Sequence, residues 1–82
     1  MIDEVHLRHL TVDEAVVKLD DFIHQAYISG LYQVKVVHGK GAGIIRQTVH
    51  RELARNPLVQ SYRLGQRGEG STGVTIVQLS YK

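Results

Sequence analysis

The sequence contains no cysteine and no tryptophan, one proline, and few aromatic residues (6%). Without cysteine there is no disulfide staple, no thiolate zinc site and no sulfur nucleophile. A chain of 82 residues must then fold by compact packing of a few elements joined by short loops. It has room for one core, so a single domain spanning residues 1–82 is expected. No apolar run approaches the ~20 residues needed to cross a bilayer, and no basic-then-apolar leader opens the sequence. The expected compartment is the cytoplasm, with no membrane partner. Scarce aromatics also argue against a base-stacking platform.

What the sequence does have is an uneven charge. Residues 1–30 hold six acids and two bases, whereas residues 31–82 hold eight bases and two acids. A basic half of this kind points to a polyanionic partner such as nucleic acid.

Hydrophobic period divides the chain into six elements. Glu4 to Leu7 alternates polar with apolar and reads as a strand. Thr11 followed by Glu14 is a capping box. From there Val12, Ala15, Val16, Leu19, Phe22, Ile23, Ala26 and Tyr27 form one helical stripe that stops at Ser29-Gly30. Val34 to Val37 is a β-branched strand. After the glycine-rich stretch from Gly39 to Gly43, Ile44, Ile45, Thr48, Val49 and Leu53 mark a second helix, ended before Pro57. Leu58 to Leu64 and Val74 to Leu79 are strands separated by a polar loop with four glycines. The order β-α-β-α-β-β implies right-handed crossovers, three parallel strands and an antiparallel fourth. It gathers Arg8-His9, His38 to Gly43 and the Gly65 to Gly73 loop at one edge, where open α/β sheets bind ligands.

The run His38-Gly39-Lys40-Gly41-Ala42-Gly43 leads straight into the second helix. Its glycines permit close backbone approach. No Ser, Thr, Asp or Asn caps the helix, so its first amides and its dipole suit an anion. Lys40 and Arg46 add positive charge. The run is not a Walker loop, because Gly41 follows Lys40. Nor is it a dinucleotide fingerprint, because Arg46 occupies the third glycine position. A plain tight turn is the alternative.

This run, with Leu10-Thr11-Val12-Asp13-Glu14-Ala15 before it and Gly68-Glu69-Gly70-Ser71-Thr72-Gly73-Val74-Thr75 after it, resembles the Smr (small MutS-related) domain over nearly the whole chain. That domain occurs at the end of second-type bacterial MutS proteins and as a stand-alone protein, so the chain could be part of a longer MutS-type protein. The resemblance implies a two-layer α/β sandwich like the C-terminal domain of translation initiation factor three. It would be an α+β fold with a mixed sheet of order 1-2-4-3, its fourth strand antiparallel and both helices on one face. It also implies binding of branched DNA or of structured RNA, including RNA on stalled ribosomes, and in several members endonuclease activity. The family motif carries over to His38, Gly39, Lys40, Gly41 and Gly43, and to Arg8.

One departure concerns chemistry. Where the family has Leu-Asp-Leu-(His or Arg)-Gly, this chain has Val5-His6-Leu7-Arg8-His9. His6 replaces the acid that is the family's main catalytic candidate, and His9 replaces the glycine. Glu69 is the one carboxylate expected at the edge, so a magnesium or manganese site is poorly supported. His6, His9 and His38 could converge there instead and supply a general base and acid, chemistry suited to RNA with its own 2′-hydroxyl. Candidate catalytic residues are thus His38, His6 and Arg8. Candidate nucleic-acid contacts are Arg8, His9, His38, Gly39, Lys40, Gly41, Gly43, Arg46 and Arg67. Arg51, Arg55 and Arg63 extend the positive surface, and His24 and His50 read as surface residues. Two further readings stay open: a binding module without catalysis, and a small phosphate- or nucleotide-binding protein.

Overall fold

A computed structural model describes residues 3–40 and 43–81. Its elements are β1 (Glu4–His6), α1 (Val12–Ile28), β2 (Gln33–Val37), α2 (Ile44–Arg55), β3 (Val59–Leu64) and β4 (Val74–Leu79), with a short 3-10 turn at Ser71–Gly73. The four strands form one sheet of order β1-β2-β4-β3. β1 runs parallel to β2, and β4 lies antiparallel to both β2 and β3. Among the described residues the expected element order, strand directions and sheet order are all present. The 3-10 turn is an addition, since a run of loop glycines carries no periodic signal.

Alternation along the strands selects the covered face. Val5, Leu7, Val34, Val36, Val77 and Leu79 are buried together with Ala15, Leu19, Ile23 and Ala26 of α1 and with Val49 and Leu53 of α2. The two helices therefore share one face. α1 begins with Thr11 Oγ1 accepting from the Glu14 amide while the Glu14 carboxylate accepts from the Thr11 amide. It ends at Ser29, followed by Gly30 in the left-handed region (φ 79°). α2 loses its last turn at Asn56, whose extended backbone (φ −87°, ψ 118°) is what the following proline requires.

At the far end of the sheet, Tyr81 stacks on Tyr27 with ring centroids 4.9 Å apart and meets Tyr32 edge-on at 5.1 Å. The Tyr81 hydroxyl donates to the Leu31 carbonyl. This aromatic cluster ties the end of the last strand to the α1–β2 turn and lies away from the glycine-rich loop. Tyr62 packs against the core.

Candidate nucleic-acid interface

Parallel β1 and β2 send their carboxyl ends to the same edge, and β4 enters the sheet beside them. The resulting hollow, about 600 Å³, is lined by Arg8, His9, Val37, His38, Gly39, Lys40, Gly70, Gly73 and Val74. Backbone bonds hold its walls together. The amides of His38 and Gly39 both donate to the Gly73 carbonyl, at 3.0 and 2.9 Å. These two amides therefore point into the protein, not at a ligand.

Gly39 has φ 82°, and a β-carbon there would meet Arg8 Cγ at 3.3 Å. Its lack of a side chain lets Arg8 lie across the start of the loop. His9, at the position where the resembling motif has glycine, takes φ 68°, a conformation that costs an L-residue about 1–2 kcal/mol. The imidazole is exposed at the rim of the hollow.

α2 starts from Gly43 in the left-handed region (φ 87°), with no side-chain cap and no acid in its first turn. Arg46 folds back over this start, its guanidinium 2.9 Å from where a Gly43 β-carbon would stand. Arg8, Lys40 and Arg46 have no carboxylate partner among the described residues. An uncapped helix start beside unpaired cations is an anion-binding arrangement. Gly41 lies outside the described residues.

Several expected contacts fall elsewhere. His6 pairs with Glu4 on the face away from the helices and does not line the hollow. Alternation sends its side chain opposite to buried Val5 and Leu7, so the three histidines do not converge. Arg67 is exposed but is not part of the hollow's lining. Arg63 forms a two-pronged pair with Glu69, at 2.8 and 3.0 Å, and Arg51 and Arg55 both pair with Glu52. Those three arginines share two carboxylates, which leaves one positive charge in excess, and none of them lines the hollow. Glu69 also accepts from the Gln66 amide, and these partners pull its carboxyl down to about 2. Both its oxygens serve the loop, so it fits poorly as a ligand for a divalent ion. No group of three potential metal ligands occurs among the described residues.

His50, expected at the surface, is instead half-buried and joined to the site. Its Nε2 lies 2.8 Å from Thr75 Oγ1, and the same hydroxyl lies 2.8 Å from His38 Nε2. His38 is 5% exposed, and its Nδ1 is 3.0 Å from the Gly39 carbonyl oxygen. Burial lowers the pKa of both rings, and the nearby Arg46 charge pushes the same way. Both nitrogens of His38 are thus engaged by the protein, which suits a residue that holds the loop. Two signals in the sequence pointed to this cluster. His50 stands four residues after Arg46 and three before Leu53, beside the buried stripe. Thr75 alternates with Val77 and Leu79, so its hydroxyl had to face the core and find a partner.

With this geometry in view, the comparisons with known proteins are specific. The Smr domain family matches residues 5–80. The crystal structure of the Smr domain of Thermus thermophilus MutS2 superposes with TM-score 0.94 and 40% identity, covering 98% of this chain and 100% of that one. That of YdaL, a stand-alone small MutS-related protein from Escherichia coli, gives TM-score 0.91 and 30% identity over 96% of this chain and 65% of that one. The chain belongs to the Smr domain family. It is also 49% identical over 76 residues to an Endonuclease MutS2 of Clostridium tetani, covering 93% of this chain and 10% of that protein. The chain therefore spans about a tenth of the length of the curated relatives it matches. No helix of the described residues is long and apolar enough to cross a membrane.

Proposed function

We propose that this Smr domain binds nucleic acid by its sugar–phosphate backbone, at the edge formed by Arg8, His9, Lys40 and the start of α2. The observation that carries the reading is the uncapped α2 start with Arg8, Lys40 and Arg46 around it, none paired to a carboxylate among the described residues. The ligand must be anionic and must present itself to an open hollow. A polymer backbone meets both conditions, and contacts of this type fix position without reading sequence. The hollow has the volume of a small-ligand pocket but lies open, whereas a small nucleotide is held by a pocket that encloses most of its surface. Recognition should then depend on the shape of the nucleic acid, as branched DNA or structured RNA.

Relatives named as MutS2 endonucleases support phosphodiester cleavage as the companion activity. His9 favours an RNA route. Its exposed imidazole shares the hollow with Arg8 and Lys40, whereas His6 faces away and both nitrogens of His38 are engaged. In that route His9 takes the proton of a 2′-hydroxyl that attacks the adjacent phosphorus. The bond from phosphorus to the 5′-oxygen breaks, leaving a 2′,3′-cyclic phosphate, and the departing 5′-oxygen takes a proton from water, while Arg8 and Lys40 face the charge developing on the phosphoryl oxygens. No step needs a metal held by the protein.

The test is a binding screen of duplex, junction and structured RNA at two salt concentrations, followed by metal-free nicking and RNA cleavage assays. His9→Asn keeps a residue tolerant of the left-handed backbone and removes the imidazole. Loss of RNA cleavage with at most a modest loss of affinity, Arg8 and Lys40 being kept, is the expected outcome for this variant. A wild-type chain indifferent to salt and to nucleic-acid shape would overturn the reading.

A further inference from the structure

One proton decides the arrangement of the His50–Thr75–His38 cluster. The Gly39 carbonyl oxygen can only accept, so the His38 Nδ1 beside it, at 3.0 Å, must carry hydrogen. A neutral His38 ring then has a bare Nε2, which must accept from the Thr75 hydroxyl at 2.8 Å. Thr75 has a single hydrogen and has now used it. The His50 Nε2, also 2.8 Å from Thr75 Oγ1, must therefore donate. Reversing the line would either place a lone pair of His38 against the Gly39 carbonyl or leave a buried, charged ring beside Arg46 with no carboxylate partner among the described residues, and both are costly.

The consequence lies in the next peptide. The Gly39 carbonyl and the Lys40 amide belong to one peptide unit, and no described peptide bond is cis. In a trans unit the C=O and N–H point in opposite directions. A Gly39 carbonyl held against His38 turns the Lys40 N–H away from the ring. Meanwhile the Gly39 amide is anchored to the Gly73 carbonyl on the other side. The flexible glycine is fixed at both its peptide groups.

We propose that Thr75 and His50 are positioning residues: they hold His38 in its Nδ1–H form, and His38 in turn fixes the Gly39–Lys40 peptide so that the Lys40 amide is presented to a phosphate. This deepens the backbone-binding reading above and rests on it. The substrate touches neither Thr75 nor His50; their effect passes through His38.

The experiment uses the whole chain, labelled with nitrogen-15, at a pH where both rings are neutral. The imidazole signals should show hydrogen on Nδ1 of His38 and on Nε2 of His50. Thr75→Val and His50→Phe should weaken that preference at His38, shift the Lys40 amide signal and lower affinity for a short DNA junction about tenfold, the scale of one lost hydrogen bond. Thr75→Ser and His50→Gln keep the hydroxyl and the donor and should restore all three readouts, which a loss of packing alone would not allow. Hydrogen found on Nε2 of His38 in the wild type, or His50→Phe leaving the His38 and Lys40 signals unmoved, overturns the assignment. Correct ring signals in a wild-type chain that binds no nucleic acid would overturn the reading of the edge while supporting the hydrogen-bonded line.

Discussion

Thr11 closes the start of α1 with its own hydroxyl, and Glu14 reaches back to the Thr11 amide. Asp13 and Glu14 answer the helix dipole in the first turn. At the start of α2 there is no capping side chain, no acid, and an arginine folded over the opening. Both entrances use a left-handed residue just upstream, His9 at φ 68° and Gly43 at φ 87°. One helix is thus finished by its own sequence, and the other is left electrically open. The lesson is that a helix start omitted from local satisfaction is informative when the same chain shows it can cap one.

The largest way to break this contrast is charge reversal at the open end. Lys40→Glu should weaken binding about tenfold across all sequences and reduce the salt slope by about 1–2, read by fluorescence anisotropy at two salt concentrations. The closed end should behave oppositely. Thr11→Ala should cost about 1 kcal/mol in urea unfolding and leave nucleic-acid affinity unchanged. His9→Gly at the upstream turn should raise stability by about 0.5–1 kcal/mol, the relieved strain less the added freedom of glycine in the unfolded chain.

Ile44 is 60% exposed, so Ile44→Glu places an acid in the first turn of α2 without touching the core. It should stabilise the fold by about 0.3–1 kcal/mol while lowering affinity, and any gain in affinity would refute the open-end account. The smallest effect is one of pH. His38 and His50 have pKa values below the ordinary 6.5. The unfolded chain therefore binds more protons as pH falls through about 6.5. Their contribution to stability is complete above that value and declines on acidification, and His50→Gln should flatten the decline in thermal melts.

The fold was legible because each element obeys one period and each is closed by a residue with a mechanism, such as the Thr11–Glu14 box and Pro57. The loop from His38 to Lys40 was legible for the same local reason. The failures share a different cause. His6 looked like a partner for His38 because both stand at strand ends, yet strand alternation sends His6 to the opposite face. Arg63 looked like free charge because its partner, Glu69, is six residues away across a turn whose closure has no periodic signature. His50 was passed over because its role requires Thr75, a strand residue 25 positions on. Long-range pairing of single polar groups is what a one-dimensional pattern records least.

One of the two inner strands of the sheet, β4, is also the last of the four in sequence. Until it arrives, β2 and β3 have no neighbour between them, Gly73 offers no carbonyl to the His38 and Gly39 amides, and His38 lacks its threonine. A nascent or shortened copy of this domain would consequently keep at most the β1–β2 pair, with β3 detached and the His38–Gly39 turn unanchored. On the reading proposed above, the grip on a polyanion then forms only once this strand is in place.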